Sequence, residues 1–457
     1  MATLTSISIN VNSNTVTLGN STNFNVIATY SDNSTKDVTD YCSYSVGDND
    51  VIEFMTTYLT FTALQNATFR FPDNDLQYSL DDGGTWTTLT AGSWTPTISE
   101  GNKILWKQTG LTPYASCGIG TFYATGNFNV SGNIMSLYYG DDFINQFDLT
   151  GKNYAFNNLF NGCTNLISAE NLALPATTLS NYCYYGMFYG CTGLTTAPPL
   201  PTTTLANYCY EYMFSRCTSL TTAPVLPATT LSDYCYYAMF ERCTSLTTVP
   251  ELPATALSPY CYQYMFFHCE SLTTPPALLA TTLANYCCQE MFSYCSELTT
   301  TPALPATTLK KYCYSGMFAF CTSLTTASMI SGTTLADYCC QRMFHGCTSL
   351  TTVQTTLPAT SMVNCCYYRM FENCTSLTTA PELPATTWTM NTYCYEMMFY
   401  GCSSLNYIKC LSTSNNSMSN WVYGVAATGT FVKNKQMKSW STGNSGIPSG
   451  WTVVDAT

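Results

Sequence analysis

Cysteine is the residue type in this sequence with the widest chemistry, because thiolates act as nucleophiles and as metal ligands. The 457-residue chain holds 25 cysteines and two histidines. Most cysteines lie four residues before or after a recurrent Met-Phe pair, as Cys183 and Cys191 do around Met187. Two cysteines of one copy would lie about 12 Å apart along a helix, beyond the Cα reach of a disulfide. The sequence contains no CxxC pair of the kind that binds metal ions. The spacing therefore favours buried thiols that act as small hydrophobes.

The histidines and paired aspartates give weak support for catalysis. His268 lies three residues after its Met, and His345 lies two residues after its own. The residue at both positions varies between copies, which predicts that the histidines are exposed. A Ser-His-Asp or Cys-His arrangement is therefore not expected. Asp81-Asp82 could be a calcium or acid–base site, but a hairpin turn fits better. Asp141-Asp142 fits a polar loop or cap. With no phosphate-binding loop and no metal motif, we expect no enzyme activity, no cofactor and no metal.

An internal repeat must position all these residues. The segment YCYYGMFYGCTGL at residues 182–194 returns down the chain as far as YCYEMMFYGCSSL at Tyr393. The Met-Phe pairs are 26 residues apart from Met187 to Met343, then 27 and 28, and an earlier copy has Leu-Phe instead. Ten copies therefore occupy residues 151–411. Periods of about 20–50 residues are typical of solenoids, propellers or arrays, whose neighbouring copies bury each other's apolar faces.

Each copy is predicted to hold a short strand, a turn and about two turns of helix. Residues 234–243 follow two good N-cap residues, and their cysteines, Met239 and Phe240 share an arc of about 140° on a helical wheel. The following CTSLTTV suits a strand that a proline ends. Because strands stack at about 4.8 Å and helices at about 8–10 Å, we expect the array to curve with its helices outside.

The repeat resembles that of the BspA-like leucine-rich repeat proteins. It reads MF-x2-C-x2-L-T-T-A-P-x-LP here, and AF-x2-C-x2-L-x2-I-x-I-P in that family; the Phe, the Cys, the Leu (for example Leu194, Leu220 and Leu246) and the Pro align. Met replaces the usual Ala, and Cys occupies additional positions. The resemblance implies a curved solenoid with a parallel strand ladder on one face. Such proteins are mostly bacterial surface adhesins, with relatives in gut Bacteroidales and their phages.

The flanking segments are predicted to be β. Within residues 1–54, VTLGNSTNFNVIATYSDNSTKDVTD resembles the first part of a bacterial Ig-like domain of the group 2 type. Residues 55–150 contain five short strands divided by turns, the pattern of a β-sandwich domain. Residues 412–457 break the period, and Trp440 and Trp451 are expected to cap the stack. The fold class is therefore mixed α/β: an N-terminal β-sandwich region, a curved leucine-rich-repeat solenoid and a small C-terminal β cap.

Composition narrows the range of partners. The net charge is −12 and only 9% of residues are charged, without a basic patch for nucleic acid or anionic membrane surfaces. No apolar run reaches the roughly 18 residues of a membrane span. The start, MATLTSISINVNSN, lacks the basic and apolar regions of a secretory signal. Either the protein is made in the cytosol and stays there or leaves by lysis, as virion proteins do, or a signal was removed.

The phases that vary between copies form the candidate recognition surface. These positions lie two residues and one residue before the Met, and two and three residues after it. They are rich in Tyr and Arg, which are favoured at binding hot spots. The hypothesis is a tunable ridge along the helical side; drift on a solvated face is the alternative. Constant Thr pairs on the opposite face could bind a repetitive glycan or simply cover a polar sheet. The ridge residues are Tyr185, Glu211, Tyr212, Arg216, Tyr237, Arg242, Tyr264, His268, Tyr294, Arg342, His345 and Arg369.

These observations predict a non-enzymatic adhesion or display protein. The expected form is a phage virion fibre or decoration protein that binds host-surface or mucus glycans or proteins. Its N-terminal β region would contact other virion proteins, and a homo-oligomer is compatible with this. The alternatives are a bacterial cell-surface adhesin whose signal was removed and a glycan-active enzyme with a carboxylate pair in residues 55–150. The expected location is the virion surface, or alternatively the bacterial cell surface.

Overall fold

A computed structural model describes residues 56–108, 120–328, 330–388, 393–413, 418–437 and 440–457, and the backbone of three strands near the N terminus. These strands are β1 (Leu4–Val11), β2 (Phe24–Tyr30) and β3 (Thr35–Asp37), which form an antiparallel sheet in the order β1-β2-β3. They confirm that this segment forms β strands, as predicted. The remainder of the Ig-like prediction lies outside the described residues.

Seven further strands precede the repeats, and all five that were predicted in this region are confirmed. The largest sheet has the order β11-β10-β4-β8-β6-β7, and β5 pairs with β9 in a separate antiparallel sheet. Strand β11 (Leu166–Ala173) belongs to the first repeat and pairs in parallel with β10, so one sheet continues from the N-terminal region into the repeats. The seven strands are β4 (Leu59–Ala63), β5 (Phe69–Arg70), β6 (Leu76–Ser79), β7 (Thr87–Leu89), β8 (Lys103–Gln108), β9 (Tyr123–Ala124) and β10 (Phe128–Asn133).

An aromatic core fills this region and extends into the repeats. The buried ring of Phe61 lies 4.9 Å from the rings of Phe122 and Phe128 and 5.6 Å from that of Trp106. It also lies 5.9 Å from Phe160, which occupies the Phe phase of the first repeat. Because the two regions share buried rings as well as a sheet, their interiors are continuous.

The segment predicted to be a helix in each repeat is a run of consecutive β-turns, so that prediction is wrong. In residues 180–191 every second N–H donates to the carbonyl three residues earlier, as Tyr185 N does to Tyr182 O at 3.2 Å. Every fourth residue has a positive φ, namely 60° at Tyr182, 55° at Gly186 and 69° at Gly190. A right-handed helix excludes such angles. In the described residues the only helices are α1 (Ser136–Tyr139) and a 3-10 helix (Gly140–Asn145), and neither is long and apolar enough to cross a membrane.

The intervening N–H groups of each turn segment donate to the next repeat. Gly186 N donates to Glu211 O at 2.8 Å, and Phe188 N donates to Met213 O at 2.9 Å. A turn segment therefore satisfies its backbone only beside a neighbour. The turn segment and the extended run of each repeat are both joined to the next repeat by backbone hydrogen bonds. The prediction of curvature depended on helices that pack further apart than strands, and no such helices are present in the described repeats.

The predicted extended runs pair in parallel between repeats, but they are very short. The pair β12 (Thr326–Ala327) and β13 (Thr352–Val353) lies in these runs, whereas β14 (Ser361–Met362) pairs with β15 (Thr387–Trp388) in the segments that lead to the next run of turns. Other repeats make single bridges, such as Thr222 with Thr248. In several repeats a proline follows directly, as Pro224 does after Thr222 and Ala223, and its missing N–H group keeps the pairing from extending.

The last repeat and the C-terminal segment share a three-stranded parallel sheet, formed by β16 (Tyr407–Cys410), β17 (Thr430–Lys433) and β18 (Thr452–Asp455). Trp451 is buried and Trp440 packs partly buried against the core, as the predicted cap requires. The sequence did not reveal the role of Trp421. Its fully buried ring lies 5.9 Å from Trp440, and its Nε1 donates to Gly446 O at 2.9 Å.

Candidate recognition surface

The constant residues of the repeats form buried columns. The Phe188 ring stacks on Phe214 at 5.3 Å and 4°, and the column continues to Phe399 with both rings of each pair nearly parallel. The Met and Cys phases beside it are also buried. The described cysteines are free thiols in this interior. Burial, together with the neighbouring Cys191 and Cys243 thiols, raises the pKa of Cys217 well above its usual value. This explains why the thiols are inert packing groups rather than nucleophiles.

A second aromatic column lies at the surface, and the sequence-based hypothesis missed it. Its rings are partly exposed, with centroids 4.3 to 4.8 Å apart and planes within 15° of parallel. The recurrence of Tyr five residues before every repeat Met except Met370 was the available signal. Because each ring covers the faces of its neighbours, the column presents ring edges and hydroxyls. Its members are Tyr154, Tyr182, Tyr208, Tyr234, Tyr260, Tyr286, Tyr312 and Tyr338.

Four predicted ridge tyrosines come together in one edge-to-face network. Tyr212 lies 5.8 Å from Tyr185 and 5.4 Å from Tyr237, and Tyr237 lies 5.7 Å from Tyr264. All four are partly exposed. Edge-to-face geometry is a favoured arrangement of aromatic pairs and holds the rings in place. Glu211 lies among these rings, and burial raises the pKa of its carboxyl to about 7.

The network continues from Tyr264 into a stacked group that extends over the next two repeats. Tyr264 contacts Phe267, His268 stacks on Tyr294 at 4.3 Å and 4°, and Tyr294 stacks on Phe320 at 4.5 Å. Burial and the charge of Arg242 lower the pKa of His268. The imidazole is therefore more weakly basic than usual and acts here as a flat aromatic surface. Arg216 and Arg242, at the same phase in the two preceding copies, are exposed.

The last predicted ridge residues form a charged cluster instead. His345 Nδ1 lies 2.9 Å from Glu372 Oε2, and Arg369 lies 3.4 Å from the same oxygen. Desolvation raises the pKa of Glu372, but His345 and the charges of Arg369 and Arg342 together lower it. Arg342 is exposed, whereas both histidines are less exposed than their variable phases predict. The ridge therefore has an aromatic part and a charged part.

The aspartates that could have formed an acid–base pair are held in local structure. Asp81 accepts hydrogen bonds from the N–H and hydroxyl of Thr85 and from the Ser79 hydroxyl, which lower its pKa to about 2. This is the predicted hairpin turn between β6 and β7. Asp141 lies 2.6 Å from Lys107 Nζ, and that contact lowers its pKa. A general acid needs a raised pKa, so neither group suits that role. In the described residues no set of three or more His, Cys, Asp or Glu side chains is placed to hold a metal.

Comparison with known proteins identifies the repeats. The family model described as BspA type leucine rich repeat region matches in six copies, over residues 138–273, 234–343 and 316–441. The matches extend over more than half of the 457 residues. A comparison with curated proteins finds no match.

Proposed function

Since the chain belongs to the BspA type leucine-rich repeat family, we propose that it is a non-enzymatic adhesion protein that binds its target through the aromatic part of the ridge. The family suggests protein binding at surfaces and is generally non-enzymatic. We propose further that the repeats form a solenoid that displays this ridge. The proposed division is an Ig-like segment at 1–54, a β-sandwich at 55–150, the repeats at 151–411 and a cap at 412–457.

The observation that supports binding most directly is the contact between the variable residues. They come from different repeats, yet Tyr185, Tyr212, Tyr237 and Tyr264 touch one another in sequence order. Rings held by such contacts lose little side-chain freedom when a partner binds. The exposed Arg216 and Arg242 beside them add charge and hydrogen-bond donors. Drift on a solvated face gives no reason for such a network.

The proposed setting is a phage virion, in which the protein is a fibre or decoration protein. The free thiol columns support this, because chains rich in reduced cysteine suit a reducing cytosol, where virion proteins are made. The N-terminal β region would then anchor the repeats to other virion proteins. A bacterial cell-surface adhesin is the alternative. Mass spectrometry of purified particles tests the virion role, which fails if the protein is found in membrane fractions and not in particles.

Binding can be tested with the full chain against immobilised mucin glycoprotein and host-surface polysaccharide. The ridge variant combines Tyr237→Ser, Arg242→Ser, Tyr264→Ser and His268→Ser. We expect it to lose binding while its thermal unfolding stays cooperative. The matched control substitutes exposed threonines of the opposite face, Thr196→Ala, Thr222→Ala, Thr248→Ala and Thr274→Ala. Loss of binding in the control alone would move the site to the threonine face and contradict the proposal.

A further inference from the structure

An arginine held between two exposed aromatic rings lies outside the repeats, in the sheet of β5 and β9. Arg70 pairs with Tyr123 on one side and bridges to Trp94 on the other. Its guanidinium carbon lies 4.8 Å from the centre of the Tyr123 ring and 5.2 Å from that of Trp94. Cross-strand neighbours share one face of a sheet, so the three side chains form a single row.

This row faces outward, whereas its neighbour in β5 faces the core. Trp94 is 46% exposed and Tyr123 is 43% exposed, but Phe69 is fully buried. The alternation of a strand explains the difference, since successive side chains point to opposite faces. Two large aromatic rings left this exposed around one cation are a costly arrangement unless something covers them.

The guanidinium makes no ion pair or hydrogen bond with the described residues, and its Nε is shielded from solvent without a partner. The nearest acids in the sequence are already engaged. Asp73 accepts from Thr121 N at 3.3 Å and Asp75 accepts from Ala91 N at 2.8 Å. The net charge of the chain is −12, yet Arg70 has no acidic partner among the described residues. Its positive charge is therefore available to a ligand.

The geometry determines which ligand group fits. The guanidinium carbon lies over both rings, and its N–H groups have no acceptor among the described residues, so they are available to a planar, two-oxygen acceptor such as a carboxylate. The flanking rings offer flat apolar surfaces for the C–H face of a sugar ring. Tyr, Trp and Arg are also the residues that dominate binding energy at interfaces. We propose that Arg70, Trp94 and Tyr123 form a binding site for carboxylated sugars, such as sialic or uronic acids.

An acidic peptide fits this row less well than a sugar acid. Arg70 is the one cation among β5, β9 and the bridging Trp94, so further carboxylates of an acidic peptide would find no partner in the row. The neighbouring Thr68 and Thr125, whose hydroxyls lie 3.1 Å apart, are half-buried and exposed, respectively, and offer uncharged hydrogen-bonding groups that suit sugar hydroxyls. The site does not depend on the ridge, because none of its residues belongs to the repeats.

The test uses the full chain with N-acetylneuraminic acid and glucuronic acid as probes, and glucose, N-acetylglucosamine and a hexaglutamate peptide for comparison. Saturation-transfer NMR detects binding, and calorimetry measures the affinity. We expect both sugar acids, but neither neutral sugar, to bind. Arg70→Gln should weaken binding by roughly tenfold or more, because charge-assisted hydrogen bonds are lost. Arg70→Lys should weaken it as well, since the charge remains but the planar fork is lost. Trp94→Ala should weaken it through loss of the sugar platform.

Lys103→Gln is the matched control, because it removes an exposed cation from the same region without touching the row. Unchanged binding in that variant, with unchanged thermal unfolding in Arg70→Gln, supports the site. The proposal is overturned if neither sugar acid binds, or if Arg70→Gln binds them as the unmodified chain does. Tighter binding of hexaglutamate than of either sugar acid would assign the row to acidic peptides and also overturn it. Variants of the ridge should not change the binding of sugar acids. A negative result for the Arg70 site therefore does not decide the proposed adhesion function, which is tested with the ridge variants.

Discussion

The thiol of Cys217 donates a hydrogen bond to the backbone carbonyl of Phe188 in the preceding repeat, over 3.1 Å. The same carbonyl accepts the N–H of Cys191 at 3.0 Å within its own repeat. The contact recurs between Cys243 and Phe214, and at the equivalent positions down the array. Cysteine at this phase is therefore both a small core residue and a weak donor between repeats, a combination that alanine and valine lack.

Replacement of Cys243 by alanine should lower the free energy of unfolding by about 1–2 kcal/mol, through the cavity and the lost hydrogen bond. Urea denaturation followed by circular dichroism measures the change. Thr248→Ala, at an exposed position of the same repeat, is the control and should change stability by less than about 0.5 kcal/mol. Equal effects of the two substitutions would show that the thiol contact adds nothing.

The buried thiols should resist alkylation in the native protein at pH 8. Burial raises the pKa of Cys235 and of Cys347 to about 12, so almost no thiolate is present at that pH. Mass spectrometry after iodoacetamide treatment should show the repeat cysteines unlabelled until denaturant is added. Rapid labelling of Cys235 in the folded chain would contradict this. Cys42 and Cys117 lie outside the described residues, and peptide mapping separates their labelling from that of the repeats.

The stability of the protein should depend on the ionisation of Glu211. Burial raises the pKa of its carboxyl from 4.5 to about 7, so the folded state holds its proton more tightly than the unfolded state. Its contribution to stability is therefore complete below pH 4.5 and is lost as the pH rises to about 7. Glu211→Gln should raise the melting temperature at pH 8 but have little effect at pH 4.5. Glu251→Gln, at an exposed position, is the control, and an equal gain there at pH 8 would argue against a specific role of Glu211.

The surface tyrosine column should contribute to the stacking of the repeats. Tyr234 stacks on Tyr208 at 4.6 Å and on Tyr260 at 4.3 Å and also contacts Tyr237 at 5.7 Å, so Tyr234→Ala removes three ring contacts, each worth about 0.5–1.5 kcal/mol beyond area burial. Tyr234→Phe keeps the rings and should change the thermal midpoint little. Tyr234→Gly should recover part of the loss in the alanine variant, because φ is 57° at this position. If the phenylalanine variant were as unstable as the alanine variant, the hydroxyl rather than the ring would carry the effect.

Much of the fold of the repeats could be predicted from the sequence. The 26-residue period follows from the residue pattern, as does the burial of Met187 and Phe188, which the structure confirms. The surface tyrosine column could have been predicted too, since Tyr recurs five residues before eight of the nine repeat Met residues. The row around Arg70 could not, because it depends on the register between three segments that are far apart in sequence.

The sequence by itself determined which residues of a repeat are buried, whereas the tertiary structure decided how the backbone between them is folded. Cys183, Met187 and Cys191 recur every four residues, which is close to the period of a helix. A run of β-turns with a positive φ at every fourth residue places the same side chains inside. The two alternatives differ in which carbonyls accept from the backbone N–H groups. In a helix all these carbonyls lie within the segment, whereas here about half of them lie in the next repeat. Since those partners lie about one repeat away in sequence, no local pattern within a single repeat reveals them.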